Sequence, residues 1–332
     1  MRPILLDIPA PANPLVLVGL WLVVAVAAAL WLWRLHRRGR YTADHLVTGL
    51  GVALIAGVVF GLLNHLGHLR VNAYGTMLMS GFLLGSWLGI GLGRRRGLAP
   101  ERFFDLGLVI LIGAIVGARA MYIFITPSAG PFIDVARVAR EGLGGLSFHG
   151  GLLGGFLTGS LYIAWNRLPF WRVCDSLAPG IALGYALTRI GCFLNGCCFG
   201  KPTAAAWALT IPAPADLAAS HAHLAVHPVQ LYGTAMGLVI CGLLVWAARG
   251  ASLGRAGRIF MAFLALEGLE RFVYELFRYP DARFSSLITP AQYVSLGLVL
   301  VAVLGWVLLP KQPAVLPAEA PSPHHDRTRT PR

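Results

Sequence analysis

Long apolar runs alternate along the chain with short polar punctuation. Nine runs approach or reach the about 20 residues that an α-helix needs to cross a bilayer core. They cover 15–33, 46–63, 74–92, 106–126, 150–165, 177–194, 229–246, 259–277 and 291–309. The fifth is short, and the sixth and eighth carry charges. This pattern predicts an all-α, polytopic integral membrane protein with about nine transmembrane helices. Two stretches between runs are long, 127–148 and 195–228. The segment 311–332 is rich in Pro, His and Arg and has no apolar period, so it reads as a disordered tail.

Composition narrows the class. Of 332 residues, 57% are apolar and 12% charged, against about 25% charged in a soluble domain. Mean hydropathy is +0.69. A soluble globular enzyme is excluded. The net charge of +13 belongs, in so apolar a chain, to membrane-flanking loops rather than to a nucleic-acid face. The first run is not a cleavable signal: Asp7 and several prolines precede it, and its basic cluster (Arg34, Arg37, Arg38, Arg40) follows it. With the N-terminus outside, seventeen of the 27 Lys and Arg fall in inner segments, seven in outer ones, and three inside spans. The asymmetry predicts N-outside, C-inside. Five cysteines make no disulfide scaffold, and 40 glycines point to close helix contacts.

Polar groups inside spans are costly and mark functional sites. Here they share one level, the outer half of the bilayer. Arg119 lies in the outer half of the fourth span, and Arg189 and Asn195 at the outer end of the sixth. His149 stands at the lip of the fifth, Arg271 and Glu275 toward the outer end of the eighth. Tyr74 opens the third, and His227, Gln230 and Tyr232 open the seventh. A channel or carrier would spread its polar lining across the midplane. Arginine forks match phosphate oxygens, and the abundant phosphate of a leaflet is a phospholipid head. Glu275 follows Arg271 by four residues, on the same helix face. His149, flanked by Gly150, Gly151, Gly154 and Gly155, is of the side-chain type suited to take a proton from a nucleophile. The residues therefore predict a phospholipid-using transferase or hydrolase acting at the outer face.

Several segments resemble one family. Ser147-Phe-His149-Gly-Gly is similar to the SFHGG segment of the prolipoprotein diacylglyceryl transferases. Arg189-Ile-Gly-Cys192-Phe-Leu-Asn195-Gly196 with Gly200 resembles their R-I-G-N-F-x-N-G-E-x-x-G signature, and His227-Pro-Val-Gln230-Leu-Tyr232 their HPxQLYE. Arg271 to Arg278, with Pro280 and Asp281, resembles R-x-x-x-E-F-F-R-x-P-D; Asp175 to Pro179 resembles D-x-x-A-P; Tyr74-Gly75 resembles the end of W-Y-G. The resemblance implies a bacterial cytoplasmic (inner) membrane enzyme that moves the diacylglyceryl group of phosphatidylglycerol onto the lipobox cysteine of pre-lipoprotein signal peptides, with no metal or organic cofactor. It implies that Arg189 and Arg271 bind the head-group phosphate, that Glu275 fixes Arg271, that His149 is the base, and that Tyr74 and Asn195 line the site. Arg119, His227, Gln230 and Tyr232 complete the expected substrate-binding set. The expected organisation is two extra spans in 1–69, a seven-helix core in 70–310 and the tail 311–332.

Three positions depart from the pattern: Cys192 replaces the Asn after R-I-G, Cys197 the Glu after N-G, and Gly233 the Glu after Q-L-Y. A thiol is a weak hydrogen-bonding group and does not substitute closely for an amide or a carboxylate. Cys192, Cys197 and Cys198 leave three readings open: small apolar packing, a Cys192–Cys197 disulfide in an oxidising compartment, or catalytic or metal-ligating thiols. Three cysteines with no CxxC and no ordered fourth ligand make a poor zinc site. His221, His223 and His227 read as loop histidines, and no metal is assigned to them. The departures also keep open another lipid donor or acceptor, a membrane thiol oxidoreductase, and a lipid transporter.

Overall fold

A computed structural model describes residues 4–9, 68–126, 147–210, 224–249, 255–278 and 288–309. The first two predicted spans (15–33 and 46–63), the tail 311–332, His221, His223, Pro280 and Asp281 lie outside the described residues. The chain divides into two units. In one, β1 (Ile4–Pro9) pairs antiparallel with β2 (His68–Asn72). The described residues of the other form seven helices: α1 (Ala73–Arg95), α2 (Pro100–Ile125), α3 (Phe148–Trp165), α4 (Phe170–Asn195), α5 (Val229–Arg249), α6 (Arg258–Phe277) and α7 (Pro290–Leu308). Between α4 and α5, β3 (Leu209–Thr210) pairs antiparallel with β4 (Ala225–Val226). The short strands were not predicted; pairing, not an apolar run, defines them.

The seven helices coincide with the third to ninth predicted runs. Five of them (α1, α2, α4, α5 and α7) are long and apolar enough to cross a membrane. The protein is an all-α polytopic membrane protein. Helix α4 starts before its apolar run, so Arg172 lies within the helix and is buried rather than standing in a loop. Local signals set the ends. Ser147 caps α3, its hydroxyl accepting from the Gly150 amide. Thr289 and Gln292 form a reciprocal capping box on α7. Gly196, at φ 72°, ends α4 in the left-handed conformation that glycine adopts without a steric penalty.

Glycines set how closely the helices cross. A Cβ at Gly85 would come within 2.6 Å of the Gly180 carbonyl oxygen, and one at Gly81 within 3.1 Å of Gly184. The same device joins α2 to α3: side chains at Gly117 and Gly154 would collide with the backbone at Gly150 and Gly113. In lipid, association rests on such close packing rather than on hydrophobic exclusion. The contacts also give direction. Gly81, Gly85 and Gly89 of α1 meet Gly184, Gly180 and Ser176 of α4, so the pair is antiparallel. By the same reading α2 runs against α1 and α3, α5 against α4, and α7 against α6.

Helices α4 and α6 run parallel and are pinned at their beginnings. The α6 N-cap is Gly257, which has no side chain to cap with. Asp175 of α4 does that work: its two carboxylate oxygens accept from the Gly257 and Phe260 amides, each at 2.8 Å. Four orphan amides open every helix, and a buried carboxylate is the strongest partner for them. Beside it Arg96 donates to the Ser176 hydroxyl at 3.1 Å. Arg189 lies about 21 Å further along α4, at the far end of the bundle.

That far end collects the polar residues selected from the sequence. It holds the start of α1 (Tyr74), the end of α2 (Arg119), the start of α3 (His149), the end of α4 (Arg189, Asn195), the start of α5 (Gln230, Tyr232) and the end of α6 (Arg271, Glu275). The opposite end holds Arg94, Arg95, Arg96, Arg102, Arg167, Arg172, Arg249, Arg255 and Arg258.

Candidate active site

Two guanidinium groups meet on one phenol ring. Arg189 of α4 places its Cζ 4.6 Å from the Tyr274 ring centre, and Arg271 of α6 places its own at 5.2 Å. Arg189 also lies 4.8 Å from the Tyr185 ring. Tyr185 is one turn before Arg189 on α4, and Tyr274 three residues after Arg271 on α6, so helical spacing builds the stack. The faces of both rings carry negative potential and hold the cations. Glu275 then fixes Arg271 at 2.7 Å and reaches Arg278 at 3.7 Å. The Arg189 Nε is buried and has no hydrogen-bond partner. A buried donor left unmade is costly, and an anionic oxygen is the natural acceptor for it.

Buried carboxylates stand behind the arginines. Tyr185 donates to Glu270 Oε1 at 2.8 Å, and Glu270 is 1% exposed. One oxygen each of Glu267 and Glu270, and the Tyr274 hydroxyl, are buried without a hydrogen-bond partner. None of Tyr185, Glu267, Glu270 or Tyr274 was selected from the sequence. The available signal was the three- or four-residue spacing of Tyr185, Glu267 and Tyr274 from Arg189 or Arg271; Glu270, next to Arg271 in the chain, carried no such signal.

A strap after α4 closes this end. The Lys201 amide donates to the Phe277 carbonyl at 2.8 Å, the His227 amide to the Lys201 carbonyl at 3.0 Å, and Gly200 bridges Arg278. The HPVQLY segment holds the strap with its side chains. Gln230 is buried and donates to the Cys197 carbonyl at 2.7 Å. The Tyr232 hydroxyl accepts from Trp207 Nε1 at 2.7 Å and lies 3.1 Å from His227 Nδ1. Phe277 packs edge-on against both rings. These three residues thus connect the end of α4 to the start of α5 and the end of α6.

The three signature cysteines are free, and their Sγ atoms all lie within 4.8 Å of one another. The Cys197 thiol donates to the Cys192 carbonyl at 3.7 Å, and the two neighbouring thiols, with Arg189 and Arg278 nearby, hold the Cys198 thiol below its ordinary range. Cys174 and Cys241 are buried elsewhere.

The remaining expected residues sit at the same end but in different settings. The Tyr74 backbone packs against Gly191, and its side chain is 38% exposed. Asn195 is the exposed last residue of α4. His149 is exposed on α3, its ring edge-on to Phe148 at 5.8 Å. Arg119 lies over Tyr122 at 5.7 Å on α2. The structure therefore brings together Arg189, Arg271, Glu275 and the strap residues, while His149 and Arg119 stand on the α2–α3 pair.

The family model described as prolipoprotein diacylglyceryl transferase matches residues 61–308. This chain belongs to the prolipoprotein diacylglyceryl transferase family. Curated relatives named phosphatidylglycerol–prolipoprotein diacylglyceryl transferase include one from Trichormus variabilis, 33% identical over 271 residues, which are 79% of this chain and 94% of the relative. Another, from Clostridium tetani, is 28% identical over 235 residues, 71% of this chain and 92% of the relative. A third, from Ruegeria pomeroyi, is 36% identical over 204 residues, 60% of this chain and 68% of the relative.

Within the diacylglyceryl transferase fold the departures acquire neighbours. A Cβ at Gly233 would lie 3.1 Å from the Tyr185 hydroxyl and 3.2 Å from Arg189 Cγ. The space beside Gly233 is therefore filled by Tyr185 and Arg189, and Glu270 of α6 accepts from Tyr185 there.

Proposed function

We propose that this chain moves the diacylglyceryl group of phosphatidylglycerol onto the lipobox cysteine thiol of pre-lipoprotein signal peptides. The single observation that carries this reading is the convergence of Arg189 and Arg271 on Tyr274, with a buried, unpartnered Nε on Arg189. Two cations of fixed orientation form a cradle for one phosphate.

The chemistry follows. The acceptor sulfur attacks the glyceryl carbon that bears the phosphate. A carbon–sulfur bond forms, the carbon–oxygen bond breaks, and glycerol phosphate leaves with the electron pair. Negative charge grows on the leaving phosphate, and arginines already in place in a low-dielectric site stabilise it without reorganising. Glu275 keeps Arg271 aimed. The acceptor thiol loses its proton, for which His149 is the proposed base. A free thiol titrates near pH 8.5, so the assistance required is modest and the arginines carry most of the acceleration. Tyr74, Asn195 and Arg119 are proposed to line the lipid's approach. His227, Gln230 and Tyr232 serve the same site by holding the strap. We place this end outside the cytoplasmic membrane, with the N-terminus outside and the C-terminus inside.

The test is transfer to a reporter pre-lipoprotein in cells depleted of their own transferase, followed by mass spectrometry of the reporter cysteine. The expected product carries a diacylglyceryl thioether. Well-inserted protein that leaves the reporter unmodified would refute the assignment. A thiol oxidoreductase would instead lose function on cysteine-to-serine substitution and keep it in Arg271→Ala.

A further inference from the structure

We infer that Cys192, Cys197 and Cys198 form a three-thiolate site for a single soft d10 cation, Cu(I) or Zn(II), beside the arginine cradle. Their sulfurs all fall within 4.8 Å of one another. Metal–sulfur bonds of about 2.3 Å hold sulfurs about 4 Å apart, so closure by less than about 1 Å completes the triad. The group is built rather than incidental. Gly196 (φ 72°) and Cys198 (φ 64°) are both left-handed, and Cys198 is one of two non-glycine residues with positive φ among those described. A non-glycine residue in that region is uncommon and costs energy; here it turns the third sulfur back toward the other two. The buried Gln230 clamps the Cys197 carbonyl, and Cys192 is fixed in the last turn of α4. Among the described residues the cluster ends at three ligand atoms. Three thiolates without a fourth protein ligand suit trigonal Cu(I), or Zn(II) with a water. Thiolate softness excludes Mg(II) and Ca(II).

Binding releases the thiol protons and leaves a cluster of net negative charge. Cys192 stands three residues after Arg189, on the same face of α4. The loaded cluster is therefore a competing anion for Arg189, and loading should weaken the cradle's hold on a phosphate.

The test uses the full chain in detergent, reduced, freed of reductant without oxygen, and titrated with Cd(II) and with Cu(I) against a chromogenic chelator. The expected result is one cation per chain with a sulfur-to-metal charge-transfer band. The Cys192→Ser/Cys197→Ser/Cys198→Ser variant should lose the band, and Cys174→Ser/Cys241→Ser should keep it. Each single triad substitution should weaken binding by at least the about 10–100-fold that follows loss of a supporting hydrogen bond at a metal ligand. Absence of a band while five thiols titrate overturns the inference. So does equal binding by the triple variant, or a Cys192–Cys197 disulfide in protein alkylated before lysis.

Discussion

At the scale of single residues, the proposed chemistry rests on two guanidiniums gathered by one phenol. Tyr274 holds Arg189 and Arg271 at fixed range, and both should be needed at once. Arg189→Ala and Arg271→Ala are each expected to lower transfer by about 10²–10³-fold, the usual effect of removing one transition-state donor. The check is initial rates with purified protein and a lipobox peptide. Glu275→Gln should cost less, about 10–100-fold, because the guanidinium remains and only its charged partner is lost. Cys198→Ser should cost least. Tyr185→Phe breaks the 2.8 Å bond to Glu270 and removes the group that fills the space beside Gly233. A fall of about tenfold, the effect of one ordinary hydrogen bond, is expected in kcat with the lipid KM little changed. A wild-type rate would show that the carboxylate on α6 does not serve the cradle.

At the scale of elements, the site depends on two parallel helices whose shared origin lies at the opposite end. Asp175 supplies the α6 cap across from α4, and it fixes the relative height of Arg189 and Arg271. Asp175→Ala removes acceptors from two buried amides. It should lower stability by at least the about 1–2 kcal/mol of an ordinary lost cap, read from unfolding in mixed micelles, and reduce transfer by misaligning the arginines. Gly85→Leu tests the α1–α4 crossing, where even a Cβ would approach the Gly180 carbonyl to 2.6 Å. Small-residue crossings leave no room for side chains. Little folded protein should be recovered from that variant, measured as the monodisperse fraction after extraction. Recovery equal to wild type would mean that the crossing tolerates separation.

At the scale of the whole molecule, charge is sorted along the bundle. The arginines at the ends of α1 and α5 and at the starts of α2, α4 and α6 stand opposite the cradle. By the positive-inside rule the proposed orientation has the cradle outside and the C-terminus inside. A fluorescent protein fused after Arg332 should light up, and a periplasmic phosphatase fused at the same place should stay inactive. The opposite result would turn the site toward the cytosol and remove its access to exported pre-lipoproteins.

The division between sequence and fold is physical. Apolar run length and the alternation of loops are one-dimensional properties, so the seven described helices, and the common depth of Tyr74, Arg119, His149, Arg189, Arg271 and Glu275, could be read directly. Pairs within one helix, such as Arg271 with Glu275, follow from 3.6 residues per turn. Contacts between helices follow from neither. Tyr274 receiving Arg189 from α4, Glu270 accepting from Tyr185 beside Gly233, and Gln230 and Tyr232 spending their polar groups on the strap were decided only by tertiary packing, in which the glycine crossings and the Asp175 cap fix which helices touch and at what height. The same holds for three cysteines whose spacing matches no ordinary ligand pattern, and whose sulfurs meet because a left-handed turn folds the chain back on itself.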